Sequence, residues 1–240
     1  MIKRYQELSS LIDDTADSLT TLISQIHSEP TGGLHEDGRA RLVFTGGTAG
    51  IKLLEKLAEK DIDWSRVEIF FGDERNVPVD HPDSNEGQAR AALLTPAGVP
   101  EENIHGYGLD GGPMDDAVAR YERTLAEVAP RGFDLHLLGM GGEGHINSLF
   151  PHTDAVRESD ALVVAVADSP KPPAERATLT LPAVRSAERV WLLVSGEEKA
   201  EAAAWAVDTH TLPEDWPVAG AKGRTETVLH VTEDAAAQLP

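Results

Sequence analysis

The chain has 240 residues, of which 40% are hydrophobic, 21 are lysine or arginine and 41 are aspartate or glutamate. This length is enough for one large α/β domain with a substantial core, and no linker stands out, so we treat residues 1–240 as a single domain. The formal net charge of −20 opposes binding to nucleic acid or to an anionic membrane surface. We therefore predict neither a nucleic-acid partner nor a membrane partner.

The absence of cysteine excludes a disulfide framework, a thiolate metal site and a cysteine nucleophile. The first residues, MIKRYQELSSLIDDTADSL, lack the apolar segment of a signal peptide, and no apolar run reaches the roughly 20 residues that span a bilayer. We therefore expect a soluble cytoplasmic protein. For the oligomeric state, we expect a monomer or a weak homo-oligomer.

The N-terminal part of the chain predicts a helix, a strand and a second helix. Leucine and isoleucine recur at three- and four-residue steps over most of the first thirty residues, which predicts an amphipathic helix that ends before Pro30. The strand RLVFT at 41–45 runs into Gly46, Gly47 and Thr48 and then a helix. This order is typical of an anion site, because the first helical turn has unpaired N–H groups. A tight turn in which the threonine only caps the helix fits these residues equally well.

A second buried strand, VEIFF at 67–71, delivers polar side chains to the same edge. Asp73 and Arg75 follow it directly, and Asn85 comes after a proline-containing loop. An arginine there can bind phosphate or a developing oxyanion, and a carboxylate can orient a sugar hydroxyl. For the Asp-Glu-Arg triplet taken alone, a solvated charged loop is the better interpretation.

The remaining elements continue the alternation of helices and strands. Helices are predicted over 85–94 and 115–129, and the second leads into a strand that begins at Phe133. Further strands are predicted at 161–167, 176–181, 189–195 and 227–231, with a helix at 196–207. The pattern predicts an α/β fold with a mostly parallel, doubly wound, Rossmann-like sheet and helices on both faces. Lys199 falls in a first helical turn, where the helix dipole disfavours a cation, and this favours a ligand-binding role.

The chain is organised around the segment FDLHLLGMGGEGHINSLFPH at 133–152, in which an apolar strand is followed by a glycine-rich turn. The turn carries His145, and an imidazole titrates near neutral pH and can take a proton from water. Gly142 and Gly144 allow the backbone around the histidine to approach a ligand closely. A histidine that only hydrogen-bonds to nearby backbone is the alternative, and the glycines favour function over it.

The same turn contains the pattern G-x-G-x-x-G at Gly139, Gly141 and Gly144, which invites a dinucleotide interpretation. We reject it because Pro151 follows too soon for the full helix that the fingerprint needs.

Metal and serine-nucleophile sites are not indicated either. His145, His152 and Asp154 match no metal-ligand spacing such as H-E-x-x-H, and no G-x-S-x-G elbow is present. We predict no metal and no cofactor.

Three blocks resemble the 6-phosphogluconolactonase family: FTGGT at 44–48, GDERNVPVDHPDSN at 72–85 and LLGMGGEGHINSLFPH at 137–152. The segments SPKPPAERATLTLP at 169–182 and VSGEEKA at 194–200 extend the resemblance over nearly the whole chain. It implies the fold shared with glucosamine-6-phosphate deaminases and ribose-5-phosphate isomerases. It also implies hydrolysis of a small-molecule phosphosugar lactone, 6-phosphoglucono-δ-lactone, to 6-phosphogluconate in the oxidative pentose phosphate pathway.

The resemblance also implies roles for single residues. His145 would be the base that activates water, and Asp73 and Arg75 would complete the reacting site. The phosphate end would be held by Gly46, Gly47, Thr48 and Arg176. We add Asn85, Gly142 and Lys199 as candidate substrate-binding residues.

This sequence departs from the family pattern at several positions. Glu143 stands where an aspartate is usual, and Ile146 and Asn147 replace the common Thr-Ala. Thr48 keeps a hydroxyl after the two glycines, but the proline usual at the helix start is missing. These differences concern ligand orientation and leave the implied reaction unchanged.

Two rival functions are separated by particular residues. Deaminases on the same fold carry a glutamate five residues after the histidine and a tyrosine after Asp-Glu, where this chain has Phe150 and Arg75. Both differences favour the lactonase over a deaminase or an aldose-ketose isomerase. A non-catalytic sugar-phosphate sensor is the third hypothesis, and His145 argues against it because a sensor needs no base.

Overall fold

The computed structural model describes all 240 residues. In chain order its strands and helices are β1 (Ile2–Tyr5), α1 (Leu8–Ser28), β2 (Ala40–Phe44), α2 (Gly47–Leu57), β3 (Val67–Phe71), β4 (Asp73–Arg75), α3 (Asn85–Ala89), β5 (Ile104–His105), α4 (Asp115–Val128), β6 (Leu135–Leu138), α5 (Asp154–Arg157), β7 (Val163–Val166), β8 (Arg176–Leu179), α6 (Leu181–Arg185), β9 (Arg189–Val194), α7 (Ala200–Val207) and β10 (Glu226–Thr232).

The main sheet has seven strands in the order β1-β10-β9-β6-β2-β3-β5. Every neighbouring pair is parallel. The central strands β2, β3 and β6 are buried along their whole length, as expected for parallel strands covered on both faces, which read as continuous apolar runs. The predicted α/β fold with a mostly parallel sheet is confirmed.

A second sheet of three strands, in the order β4-β8-β7, is antiparallel. The strands predicted at 161–167 and 176–181 belong to this sheet and not to the parallel one. Only nine residues, 167–175, join β7 to β8, which is too short for the crossover that parallel neighbours require. The interpretation of residues 73–75 as a solvated loop is wrong, because they form β4 and pair with β8, with Arg75 opposite Arg176.

The N-terminal residues were only partly predicted. The helix α1 ends before Pro30 as expected, but Ile2–Tyr5 forms an edge strand that pairs with β10. This strand was missed because its four residues, IKRY, are half polar and partly exposed.

Two helices differ in detail from the prediction. The helix expected over 85–94 is α-helical only to Ala89 and continues as a π-helical turn at Arg90–Leu94. The helix expected over 196–207 begins with a 3-10 turn, Glu197–Lys199, so Lys199 lies at the N-cap of α7. None of the helices combines the length and the apolar character needed to cross a membrane.

Candidate active site

A cavity of about 160 Å³ lies where β2, β3 and β6 end, at the edge where open parallel sheets place their ligands. Its wall is mostly polar and draws on segments far apart in the sequence. The lining residues are Thr45, Gly46, Gly47, Thr48, Ala49, Gly50, Asp73, Arg75, Asn85, Gly139, Met140, His145, Asn147, Arg176, Leu193 and Lys199.

The first wall of the cavity is the N-terminus of α2. Its N-cap is Gly46, and no side chain caps the helix and no acidic residue occupies the first turn. The interpretation that Thr48 only caps the helix is therefore wrong, and no side chain accepts a hydrogen bond from the N–H groups of the first turn. Gly47 has φ +75°, a left-handed conformation that glycine adopts readily. Gly46 is required for another reason, because a Cβ there would lie 2.2 Å from Oδ1 of Asn85.

The second wall consists of residues that follow β3. The Asp73 carboxylate is 7% exposed and accepts hydrogen bonds from Ser148 Oγ at 2.6 Å and Asn85 Nδ2 at 3.1 Å. Arg75 Nη1 donates to Asn85 Oδ1 at 2.5 Å and to the carbonyl oxygen of Asp83 at 2.9 Å. The Asn85 amide thus joins the carboxylate to the guanidinium and fixes both side chains.

A buried carboxylate beneath this wall holds Asn85 in place. Glu74 is 4% exposed and accepts hydrogen bonds from the backbone N–H groups of Asn85 and Glu86 and from Ser84 Oγ. Burial raises the pKa of Glu74, and the hydrogen bonds from the backbone oppose this effect. Ser84 in turn accepts from the Gly87 N–H and caps α3. The sequence VPVDHPDSNEG is thus folded into a rigid support for Asn85.

The third wall is the glycine loop, residues 141–145, which follows β6. It is a tight turn in which the Gly141 N–H donates to the carbonyl of His145 and the Gly144 N–H donates to the carbonyl of Gly141, both at 3.0 Å. Gly144 has φ +78°, and a Cβ there would lie 2.7 Å from Cε3 of Trp216. This glycine therefore meets both a conformational and a steric requirement.

The imidazole of His145 lies between the cavity and the protein interior. Its side chain is 19% exposed, and its ring stacks on Phe150 with centroids 4.5 Å apart and planes inclined by 23°. Nδ1 lies 3.3 Å from Glu143 Oε1, although the pair lacks the alignment of a hydrogen bond. A proton on Nδ1 faces this carboxylate, which leaves Nε2 as the basic nitrogen.

Burial lowers the pKa of His145, and this effect outweighs the opposing attraction of the Glu143 carboxylate. The positive charge of Lys171 lowers the pKa further, and Asp73 raises it. The ring is therefore neutral at pH 7, which is the state that can accept a proton.

Two cations complete the cavity. Arg176, 4% exposed, donates through Nε and Nη2 to carbonyl oxygens of the 171–173 segment and lies 3.4 Å through Nη1 from Ser148 Oγ. Lys199 projects from the start of α7. Burial lowers the pKa of both side chains, and a bound anion would offset this cost because it adds a negative charge next to them.

The structure brings all of the sequence-predicted site residues to this cavity except Gly142. Gly142 lies against the turn before α7, where a Cβ would come within 2.9 Å of the Glu198 carbonyl oxygen. The lack of a side chain at Gly142 allows the 141–145 loop to pack closely against the turn before α7, and Gly142 does not line the cavity.

Several residues of the site were missed by sequence reasoning. Ser148 is fully buried and lies between Asp73 and Arg176, and Phe150 stacks between His145 and the guanidinium of Arg176, whose Cζ is 5.7 Å from the ring centroid. Thr45 Oγ1 accepts from the Gly139 N–H and ties the turn after β2 to the turn after β6. The only available signal was their position within the matched blocks.

No group of three or more histidine, cysteine, aspartate or glutamate side chains is arranged to hold a metal ion. The donors at the cavity are instead N–H groups, guanidinium groups and an ammonium group, which is a set suited to an anionic ligand.

Comparisons with known proteins agree with this geometry. The family described as "Glucosamine-6-phosphate isomerases/6-phosphogluconolactonase" matches residues 13–230. The chain is 50% identical over 214 residues to the 6-phosphogluconolactonase of Mycobacterium tuberculosis, covering 85% of this chain and 86% of that protein. It is 41% identical over 218 residues to the 6-phosphogluconolactonase of Streptomyces coelicolor, covering 85% and 83%.

Among solved structures, the crystal structure of 6-phosphogluconolactonase from Thermotoga maritima superposes with a TM-score of 0.84 at 28% identity, covering 97% of this chain and 99% of that one. The match thus extends from the sequence blocks to the whole fold. The chain belongs to the glucosamine-6-phosphate isomerase/6-phosphogluconolactonase family.

Proposed function

We propose that the chain is a 6-phosphogluconolactonase, which hydrolyses 6-phosphoglucono-δ-lactone to 6-phosphogluconate in the oxidative pentose phosphate pathway. The observation that carries the proposal is the position of His145, a neutral imidazole that faces a cavity lined by cations and uncapped helical N–H groups. The names and the high identity of the bacterial relatives support the same activity.

The phosphate would bind between the N-terminus of α2 and the two cations Arg176 and Lys199. The unpaired N–H groups of Gly47 and Thr48 and the helix dipole favour a negative charge at this point. Because the net charge of the chain is −20, this local concentration of positive charge is needed to hold a phosphorylated substrate.

A lactone is an activated ester, so the reaction needs no covalent nucleophile. His145 Nε2 would accept a proton from a water molecule while the water oxygen attacks the lactone carbonyl carbon. The tetrahedral intermediate would collapse with cleavage of the bond to the ring oxygen, which receives the proton. Arg75 would stabilise the developing oxyanion, because a fixed cation at the site costs no reorganisation during the reaction.

Asp73 would act mainly by holding other groups in place. Its two carboxylate oxygens accept from Ser148 and Asn85, so it fixes the residues that contact Arg176 and Arg75. Its negative charge also favours the imidazolium form of His145, which develops when the base takes a proton from water.

The apolar partner of His145 argues against the deaminase and isomerase rivals. Phe150 occupies the position of the deaminase glutamate and packs its ring against the imidazole. A phenylalanine cannot exchange protons with a ring-opening sugar, whereas it supports a base that needs only to be neutral and fixed.

The direct test is a coupled or stopped-flow assay on freshly generated phosphogluconolactone, with glucosamine 6-phosphate as the control substrate. We expect lactone hydrolysis well above spontaneous ring opening and no ammonia release from glucosamine 6-phosphate. Deamination without lactone hydrolysis would instead assign the chain to the deaminases. A sensor would bind the phosphosugar and accelerate neither reaction.

The phosphate role of Lys199 has its own test. Lys199→Met should raise KM for the lactone severalfold with kcat nearly unchanged, because a phosphate contact made equally in the ground and transition states changes only binding. A fall in kcat with KM unchanged would contradict that role.

A further inference from the structure

A lysine outside the cavity forms an ion pair with the carboxylate next to the base. Lys171 Nζ lies 2.7 Å from Glu143 Oε1 and 3.0 Å from Oε2. Lys171 is absent from the cavity wall, but Oε1 of the same glutamate is 3.3 Å from His145 Nδ1. One carboxylate is therefore shared between a fixed cation and the imidazole that faces the cavity.

We propose that Lys171 is a positioning residue that acts on the base through Glu143, in that its ammonium group pairs with the carboxylate next to Nδ1 of His145 and balances the charge of that carboxylate. The inference rests on the proposed function, since it assigns a role within the same reaction. It concerns a residue that touches neither the cavity nor the reacting atoms and acts only through Glu143.

The main chain of Lys171 is held firmly enough for this role. Its carbonyl accepts from Arg176 Nη2 at 2.9 Å and from Ser169 Oγ at 3.1 Å, and Arg176 Nε donates to the carbonyl of Pro173 at 2.9 Å. The loop between β7 and β8 is thus anchored on a buried guanidinium group that itself lines the cavity. Because the backbone is fixed, only the side chain of Lys171 has to be ordered to reach Glu143.

The pair has little value as a stabilising salt bridge. The two side chains are 47% and 36% exposed, and ion pairs in such positions contribute at most about 1 kcal/mol. The pair acts instead on His145, because the imidazole is mostly buried and the charges of Glu143 and Lys171 both influence its pKa. The charge of Lys171 lowers the pKa of His145 and the charge of Glu143 raises it. Because these two effects oppose each other, burial has the largest influence on this pKa.

The charged groups around His145 come from three elements. Glu143 belongs to the glycine loop itself, Lys171 to the loop between β7 and β8, and Asp73 to β4. A substitution of Lys171 removes none of the cations that line the cavity, which are Arg75, Arg176 and Lys199. Removing the ammonium leaves the Glu143 carboxylate uncompensated, so the imidazolium form of His145 becomes more stable.

The test compares Lys171→Met with Lys171→Arg in the full chain, using the pH dependence of kcat/KM. We expect Lys171→Met to move the acid limb to higher pH by about one unit. At pH values below the midpoints of both the wild type and the variant, this shift lowers kcat/KM about tenfold. KM should stay unchanged because Lys171 does not line the cavity. Lys171→Arg keeps the positive charge and should restore the midpoint.

Direct titration of the His145 ring by NMR in the free enzyme gives an independent readout. Its midpoint should rise in Lys171→Met and return in Lys171→Arg. A uniform loss of activity at every pH with an unmoved His145 titration would assign Lys171 a purely structural role and overturn the inference. An unaltered profile would also overturn it, whereas a wild-type chain without lactonase activity would instead refute the proposed function.

Discussion

Histidines in two regions of the molecule differ in what their surroundings allow. His136 in β6 and His230 in β10 are almost fully buried, at 0% and 1% exposure, and burial lowers their pKa values to about 3 and about 4. His145 in the glycine loop also has a lowered pKa because of burial. It differs in its access to the cavity and in the carboxylate next to Nδ1.

This comparison shows that burial alone does not make a histidine a base. The only hydrogen-bond partner of His136 is the Asn147 amide, 3.4 Å from Nε2, and its Nδ1 has no partner. His230 contacts the hydroxyl groups of Tyr5 and Thr15 within the sheet and α1. A catalytic imidazole needs both a neutral ring and access to the cavity, and of these three histidines only His145 lines the cavity.

The largest expected effect separates the base from a neighbouring histidine. His145→Ala should lower kcat by about two to four orders of magnitude, the range for loss of a general base. The control is His152→Asn, since His152 lies on the same segment with a 64% exposed side chain, and asparagine tolerates its φ of +61°. Initial rates corrected for spontaneous hydrolysis check both, and equal losses in the two variants would contradict the assignment.

A smaller effect is expected when the loop is disturbed and the imidazole is kept. Gly144→Ala should lower kcat about ten- to a hundredfold, because the new Cβ meets Trp216 and displaces His145. The matched control is Gly98→Ala, at φ +64° with no atom within 4 Å of the new Cβ. That variant should lose about 1–2 kcal/mol of stability from backbone strain and keep full activity. If Gly144→Ala also keeps full activity, Trp216 does not fix the loop.

The smallest effect is on stability and concerns the histidines inside the sheet. Their folded pKa values lie below the ordinary 6.5, so the unfolded chain binds more protons and the free energy of unfolding falls as the pH drops below 6.5. Each histidine contributes a slope of about 1.4 kcal/mol per pH unit. Denaturant titrations between about pH 4.5 and 6.5 should show a shallower slope in His230→Gln. An equal slope would contradict the burial of a neutral His230.

The position of the site could be predicted from sequence because it depends on strand ends. RLVFT, VEIFF and the strand after Phe133 are apolar runs followed by glycine or charge, and parallel strands place such ends at one edge. Asp73, Arg75 and His145 were therefore expected together, and the structure places them at one cavity.

The contacts within the site could not be predicted, because they join residues distant in sequence. The Asp73–Ser148 hydrogen bond spans 75 positions, and the Lys171–Glu143 pair spans 28. The antiparallel sheet that brings Arg75 opposite Arg176 includes a three-residue strand, too short to show a periodic pattern. Gly142 was misplaced for a similar reason, since its neighbour Glu198 comes from a distant turn.

The most direct test of the account compares the acid limb of kcat/KM for phosphogluconolactone with the titration of the His145 ring followed by NMR in the same wild-type chain. Because the base must be neutral and burial lowers its pKa, activity should persist below pH 6.5 and decline as the ring is protonated, with the two midpoints equal. Titration of the ring above pH 6.5, or an activity that does not change as the ring is protonated, would contradict the assignment of His145 as the base.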